Sequence, residues 1–149
     1  MPQGKHSTMQ AELVTNVVKR RKISHAFPEL HCTFGGRSIV PDVTVFAWNR
    51  IPVDGNGNIA NVFNTYPDWT IEILPPEQSA TKRTKNILHC LNHGTNLGWL
   101  INPEESNIIV YLQNQQPIFL DQAEGILPVP DLVGNLHLTV GQLFDCLKL

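Results

Sequence analysis

Residues 66–74 read YPDWTIEIL, and the placement of the whole chain turns on this stretch. Trp69, Ile71, Ile73 and Leu74 make it apolar enough for a central strand, which Pro75 and Pro76 end. Glu72 interrupts the run. A carboxylate inside a buried strand is costly unless it is paired or hydrogen-bonded. Two readings follow. Either Thr70, Glu72 and Leu74 line a wet face, or Glu72 is an acid held in place for chemistry.

Working outward, residues 79–95 carry Ala80, Thr84, Ile87, Leu88 and Leu91 at helical spacing, with Ser79 as N-cap and Gly94 as the stop. Strands follow at 97–101, 107–112 and 117–120, the first two joined by the turn NPEESN. Residues 121–136 read as irregular, and 139–147 as a closing helix capped by Thr139. Upstream, residues 37–48 form a β-branched strand containing VPDVTVFAW, and residues 29–34 alternate before Gly35-Gly36, a hairpin signature. Residues 49–66 carry little signal beyond the turn-rich DGNGN at 54–58. Residues 7–22 predict a helix through Met9, Leu13, Val14, Val17 and Val18, capped by Ser7 or Thr8 and ending in a basic run. The expected order is α-β-β-β-α-β-β-β-α within one domain, residues 1–149.

The composition narrows the function classes. The chain has 149 residues, 42% hydrophobic and 16% charged, which supports a core and argues against disorder. No apolar run approaches the ~20 residues of a membrane span, and the first residues lack the apolar segment of a secretion signal. Cys32, Cys90 and Cys146 are scattered, with no CxxC, and read as reduced thiols of a cytoplasmic protein. The net charge of −2 hides an asymmetry: +4 over residues 1–37, −1 over 38–101 and −5 over 102–149. Bulk positive charge is therefore no basis for nucleic-acid binding, but a local basic face remains open.

Phosphate-loop, dinucleotide, zincin and nucleophile-elbow motifs are absent. His89 and His93, four apart on a helix, have a spacing that can chelate zinc but usually only decorates a polar face. The distinctive pattern is acids on strands. Asp42 follows Pro41 within a strand, Glu72 sits in the next long one, and Lys85 lies on the following helix. Two carboxylates and an ammonium are the parts of a divalent-metal site for phosphodiester hydrolysis. The plainer alternatives are a turn acid at Asp42, a solvent-facing Glu72 and a solvated Lys85.

The order PDV (41–43), IEIL (71–74), Lys85, Gly94 and GWLINP (98–103) resembles the restriction endonuclease group known as domain of unknown function 820, or Uma-two-like. That group is a branch of the PD-(D/E)XK nuclease superfamily. The upstream GKHSTMQAEL resembles the group's first core helix, which often opens with a histidine. The resemblance covers about residues 4–145. It implies a restriction-endonuclease-like αβββαβ core: an α/β fold with a mixed central sheet flanked by helices. It also implies Mg2+ or Mn2+ held by Asp42, Glu72 and the main-chain carbonyl of Ile73. Catalysis would use Asp42, Glu72 and Lys85, with Lys82 a less favoured source of the ammonium. The superfamily's motif lysine falls at Leu74, Pro75 replaces a serine, and His89 stands for a tyrosine. Relatives often begin with a further segment ahead of the first helix, which is expected to be lacking here.

These readings lead to a divalent-metal-dependent endonuclease hydrolysing DNA, with Lys19, Arg20, Arg21, Lys22, Lys82 and Arg83 as candidate DNA contacts. The basic run at 19–22 is alternatively only a solvated helix end. A second expectation is a catalytically degenerate nuclease fold serving as a DNA-binding or protein-interaction module. A third is a structural assembly in which the acidic C-terminal third meets the basic first helix of a neighbour. A homodimer is a partner expectation carried by the resemblance, and a membrane is not.

Overall fold

The computed structural model describes residues 4–18, 23–76, 78–134 and 136–148. Its first helix, α1, spans Gly4–Val18 and starts earlier than the capping signals predict, so that Ser7 and Thr8 lie inside it. The shift matters, because His6, Met9, Gln10 and Leu13 then share its buried face. The basic run Lys19, Arg20, Arg21 and Lys22 lies outside the described residues.

Strand β1, Ser24–Pro28, has no counterpart in the sequence reading. It is short and proline-ended, and its partner β4 rather than its own pattern makes it a strand. Next, β2 (Cys32–Phe34) and β3 (Arg37–Ile39) form a separate two-stranded hairpin. Its turn residues Gly35 and Gly36 both have positive φ, 59° and 74°. A Cβ on Gly35 would also stand 2.1 Å from the ring of the exposed His93, which would have to swing aside, but it is the positive φ that favours glycine there.

The single strand expected over 37–48 is in fact two, because β4 begins only at Val43 and ends at Ala47. Pro41, with no N–H, ends the ladder between them. Then come β5 (Trp69–Ile73), α2 (Thr81–Asn92), β6 (Leu97–Asn102), β7 (Asn107–Leu112), β8 (Ile118–Leu120) and α3 (Val140–Asp145). Helix α3 opens with a capping box: the Thr139 hydroxyl accepts from Gln142 N–H, and the Gln142 side chain accepts from Thr139 N–H.

Six strands form one mixed sheet in the order β1-β4-β5-β6-β7-β8. Only β5 and β6 are parallel, joined through α2 as a βαβ unit. Strand β5 is buried on both faces, as a central strand between two helical layers must be. Trp69, Ile71 and Ile73 point into the main core with Met9 and Leu13 of α1 and Leu143 and Phe144 of α3. Each such side chain contributes about 1.5–3 kcal/mol by leaving water. Thr70 and Glu72 point the other way, toward α2.

Helix α2 can lie close to the sheet because Gly98 of β6 is directly beneath Ile87; a Cβ there would approach Ile87 Cγ2 to 2.5 Å. The inner face of α2 carries Asn86, Ile87 and Cys90. Leu88, expected inward, is exposed instead. Cys32 and Cys90 are buried in a smaller cluster with Phe34, Phe46 and Phe63, and burial pushes both thiols up to about 12. Among the described residues no helix is long and apolar enough to cross a membrane.

Candidate functional site

The β4–β5 pairing positions the acids. Val43 faces Ile71 and Thr44 faces Thr70 across this antiparallel ladder. Continuing the register by one residue sets Asp42 directly opposite Glu72, with both side chains on the α2 side. Asp42 is 6% exposed and Glu72 2%, so the solvent-facing reading of Glu72 does not hold. Asp42 lies just before β4, and its N–H donates to Glu72 Oε1 at 3.1 Å.

Every carboxylate oxygen of the pair has a protein partner. His6 Nε2 approaches Asp42 Oδ1 at 3.0 Å, and Ile73 N–H donates to Asp42 Oδ2 at 2.7 Å. Asn86 Nδ2 donates to Glu72 Oε2 at 3.2 Å. The Asp42 carbonyl accepts from Gln10 Nε2 at 2.8 Å and from Glu29 N–H at 3.1 Å, which fixes the backbone from α1 and from the end of β1. Asn86 is itself held by Arg37 of β3, whose Nη2 donates to Asn86 Oδ1 at 2.8 Å.

Like charges placed opposite each other in a sheet repel. Burial, reinforced by the Asp42 charge, pushes the Glu72 carboxyl up to about 7 from its ordinary 4.5, while the bonds from Asn86 and Asp42 N–H and the charge of Arg83 pull the other way. The geometry thus holds a carboxyl that changes charge near neutrality beside a second one tied to a guanidinium and an imidazole.

The cation from α2 is not the one expected. Arg83 Nε lies 3.5 Å from Asp42 Oδ2, whereas Lys85 is exposed and makes no ion pair among the described residues. Helical geometry is the reason. Arg83 and Asn86, three apart, share the face turned to the sheet, and Lys85 is rotated about 100° from Asn86. Lys82 is also exposed. His89 and His93 are engaged locally: His89 Nε2 meets the Phe34 carbonyl at 2.9 Å, and its ring stacks on Phe34.

The residues that sequence reasoning did not single out are Gln10, Asn86 and Arg37, and His6 was noted only through the resemblance. A helix starting at Gly4 would have exposed the signal, since His6 and Gln10 are polar residues at i, i+4 on the face that also carries Leu13. Asn86 and Arg37 have no such local signature.

Paired acids on adjacent strands, followed by a βαβ crossover whose helix covers them, place the molecule in the restriction-endonuclease-like class of nuclease folds. The chain belongs to the Uma2 family, described as "Putative restriction endonuclease", whose sequence profile matches residues 1–141. It is similar to a solved structure from Anabaena variabilis ATCC 29413, described as a "putative nuclease belonging to DUF820". That protein is 53% identical, superposes with a TM-score of 0.94, and is matched over 99% of this chain and 84% of its own. A comparison with curated proteins gives no match.

Proposed function

We propose that this protein is a divalent-metal-dependent endonuclease that hydrolyses DNA, with Asp42 and Glu72 as its catalytic carboxylates. The observation that carries the reading is the direct opposition of these two buried acids across the β4–β5 ladder. Asp42, Glu72 and the Ile73 carbonyl would hold Mg2+ or Mn2+. The donor set is all oxygen and carries up to two negative charges. Among the described residues no group of three or more His, Cys, Asp or Glu gathers around a common point. Such a set suits a hard cation that keeps several waters rather than a caged zinc. When bound, such an ion lowers the pKa of a water and neutralises charge developing on the phosphate.

The surrounding residues have positioning roles. His6 and the Ile73 N–H orient Asp42, Gln10 holds its backbone, and Asn86 orients Glu72. Arg83 takes the place expected of Lys85, supplying fixed positive charge beside the carboxylates where a phosphoryl oxygen would sit.

One observation favours a second reading, a nuclease fold that binds DNA without cutting it: all four carboxylate oxygens already have protein partners. Incubation of supercoiled plasmid with Mg2+ or Mn2+ separates the two. Cutting by the parent and none by Glu72→Gln supports the first reading. Equal cutting by both proteins removes the assigned site. DNA binding with no cutting, and no heat on Mn2+ titration, establishes the second.

A further inference from the structure

The outer face of α2 carries a depression of about 700 Å³ that the carboxylate site does not use. It is lined by Arg37, Lys85, Thr81, Thr84, His89 and Asn92, together with Ala80 and Leu88. Two permanent cations line it, and among the described residues no carboxylate does. Neither Arg37 nor Lys85 makes an ion pair among the described residues. Of the other described lysines and arginines, Lys5, Arg50, Arg83 and Lys148 are paired with acids, and Lys82, outside this depression, makes no ion pair among the described residues.

Arg37 is also held in place. Its Nη2 donates to Asn86 Oδ1 at 2.8 Å, and its Nη1 lies 3.5 Å from the Lys85 carbonyl. A guanidinium fixed in this way loses little freedom when an anion arrives, which favours binding. Asn86 passes the contact on to Glu72 Oε2. The depression therefore lies two hydrogen bonds from the carboxylate pair, on the same helix that carries Arg83 into the site.

We infer that Arg37 and Lys85 form a phosphate subsite that grips the DNA backbone next to the bond being cut. The inference rests on the nuclease reading for its ligand and deepens it. It gives Lys85 a binding role in place of the catalytic one expected from sequence. Arg37 acts both as a phosphate contact and, through Asn86, as a positioning residue for Glu72. Thr81 and Thr84 offer hydroxyl donors to the same backbone, and the apolar floor of Ala80 and Leu88 suits sugar edges.

The test measures binding of a labelled DNA duplex to the full chain by fluorescence anisotropy, in chelator so that no cutting occurs, across a salt series. The variants are Lys85→Ala, Lys85→Arg and Arg37→Lys, with Lys148→Ala as a charge-matched control. Loss of one phosphate contact flattens the log–log salt dependence by about 0.9 and weakens binding about eightfold at 0.1 M salt. Lys85→Ala is expected to show both effects, Lys85→Arg to restore them and Lys148→Ala to show neither. Lys85 is exposed and makes no ion pair among the described residues, so its variants carry no folding ambiguity. Arg37→Lys is expected to keep the slope while lowering the cleavage rate, because an ammonium does not hold Asn86 as a guanidinium does.

Unchanged affinity and slope for Lys85→Ala, in a parent that binds and cuts DNA, overturns the subsite and leaves the nuclease reading intact. The expected slope change in a parent that never cuts upholds Arg37 and Lys85 as a DNA phosphate contact and removes the hydrolytic reading together with the placement beside a scissile bond. A parent that binds no DNA overturns both.

Discussion

Glu72→Gln, made in metal-free buffer, isolates the electrostatics of the buried pair. The folded protein keeps the Glu72 proton up to about pH 7, whereas the unfolded chain releases it at the ordinary 4.5. Between those values the unfolded state binds fewer protons, so stability falls as pH rises through the window and levels off above it. At about 1.36 kcal/mol per pH unit, the parent loses about 3 kcal/mol across the interval from this one group. Glutamine has no charge to lose and is expected to remove that slope. Its amide also brings a donor against Asn86 Nδ2, and Arg37 blocks the flip that would relieve it. That mismatch costs about 1–3 kcal/mol at every pH and so moves the curve without tilting it. Guanidinium denaturation at half-unit steps from about pH 4.5 to 8, for parent and variant, reads both effects. The difference between the two proteins is expected to change by about 3 kcal/mol in favour of the variant as pH rises. Parallel curves would refute the reasoning, because they would mean that Glu72 is either solvated or already ionised at low pH.

Two further perturbations test neighbouring parts of the structure. Mn2+ at a hundred times its dissociation constant is expected to stabilise the parent by about 2.7 kcal/mol. A thermal-shift series should show that gain, and chelator or Asp42→Asn should abolish it. Gly98→Ala puts a methyl 2.5 Å from Ile87 Cγ2, so α2 must move off the sheet at a cost of about 1–3 kcal/mol. Cleavage should fall with stability, since Asn86 and Arg83 travel with Ile87; a variant with parental unfolding midpoint and activity would show that the close approach is unimportant.

Much of the fold was legible because local pattern and tertiary role agree. Trp69, Ile71 and Ile73 alternate as the apolar residues of a strand that is buried throughout. Gly35-Gly36 demanded a hairpin and forms one, and Thr139 caps α3 as expected, with Gln142 completing a box that was not foreseen. The misreadings occur where another element decides. Strand β1 exists because β4 is beside it, the strand over 37–48 breaks because Pro41 has no N–H to offer, and α1 begins at Gly4 with its predicted caps already helical.

The candidate site divides in the same way. Residue identity alone marks Asp42 and Glu72, since an acid in an apolar or proline-led strand has to be accounted for by its energy. Their meeting is a property of register: Val43 pairs with Ile71, and a slip of one residue would have sent the two carboxyls to opposite faces. Which cation joins them depends on the rotation of α2 over Gly98, which turns Arg83 and Asn86 inward and leaves Lys85 outside. Linear spacing brings either cation within reach of the acids, and only the packed helix chooses between them, because its rotation is set by contacts with a strand that comes later in the chain.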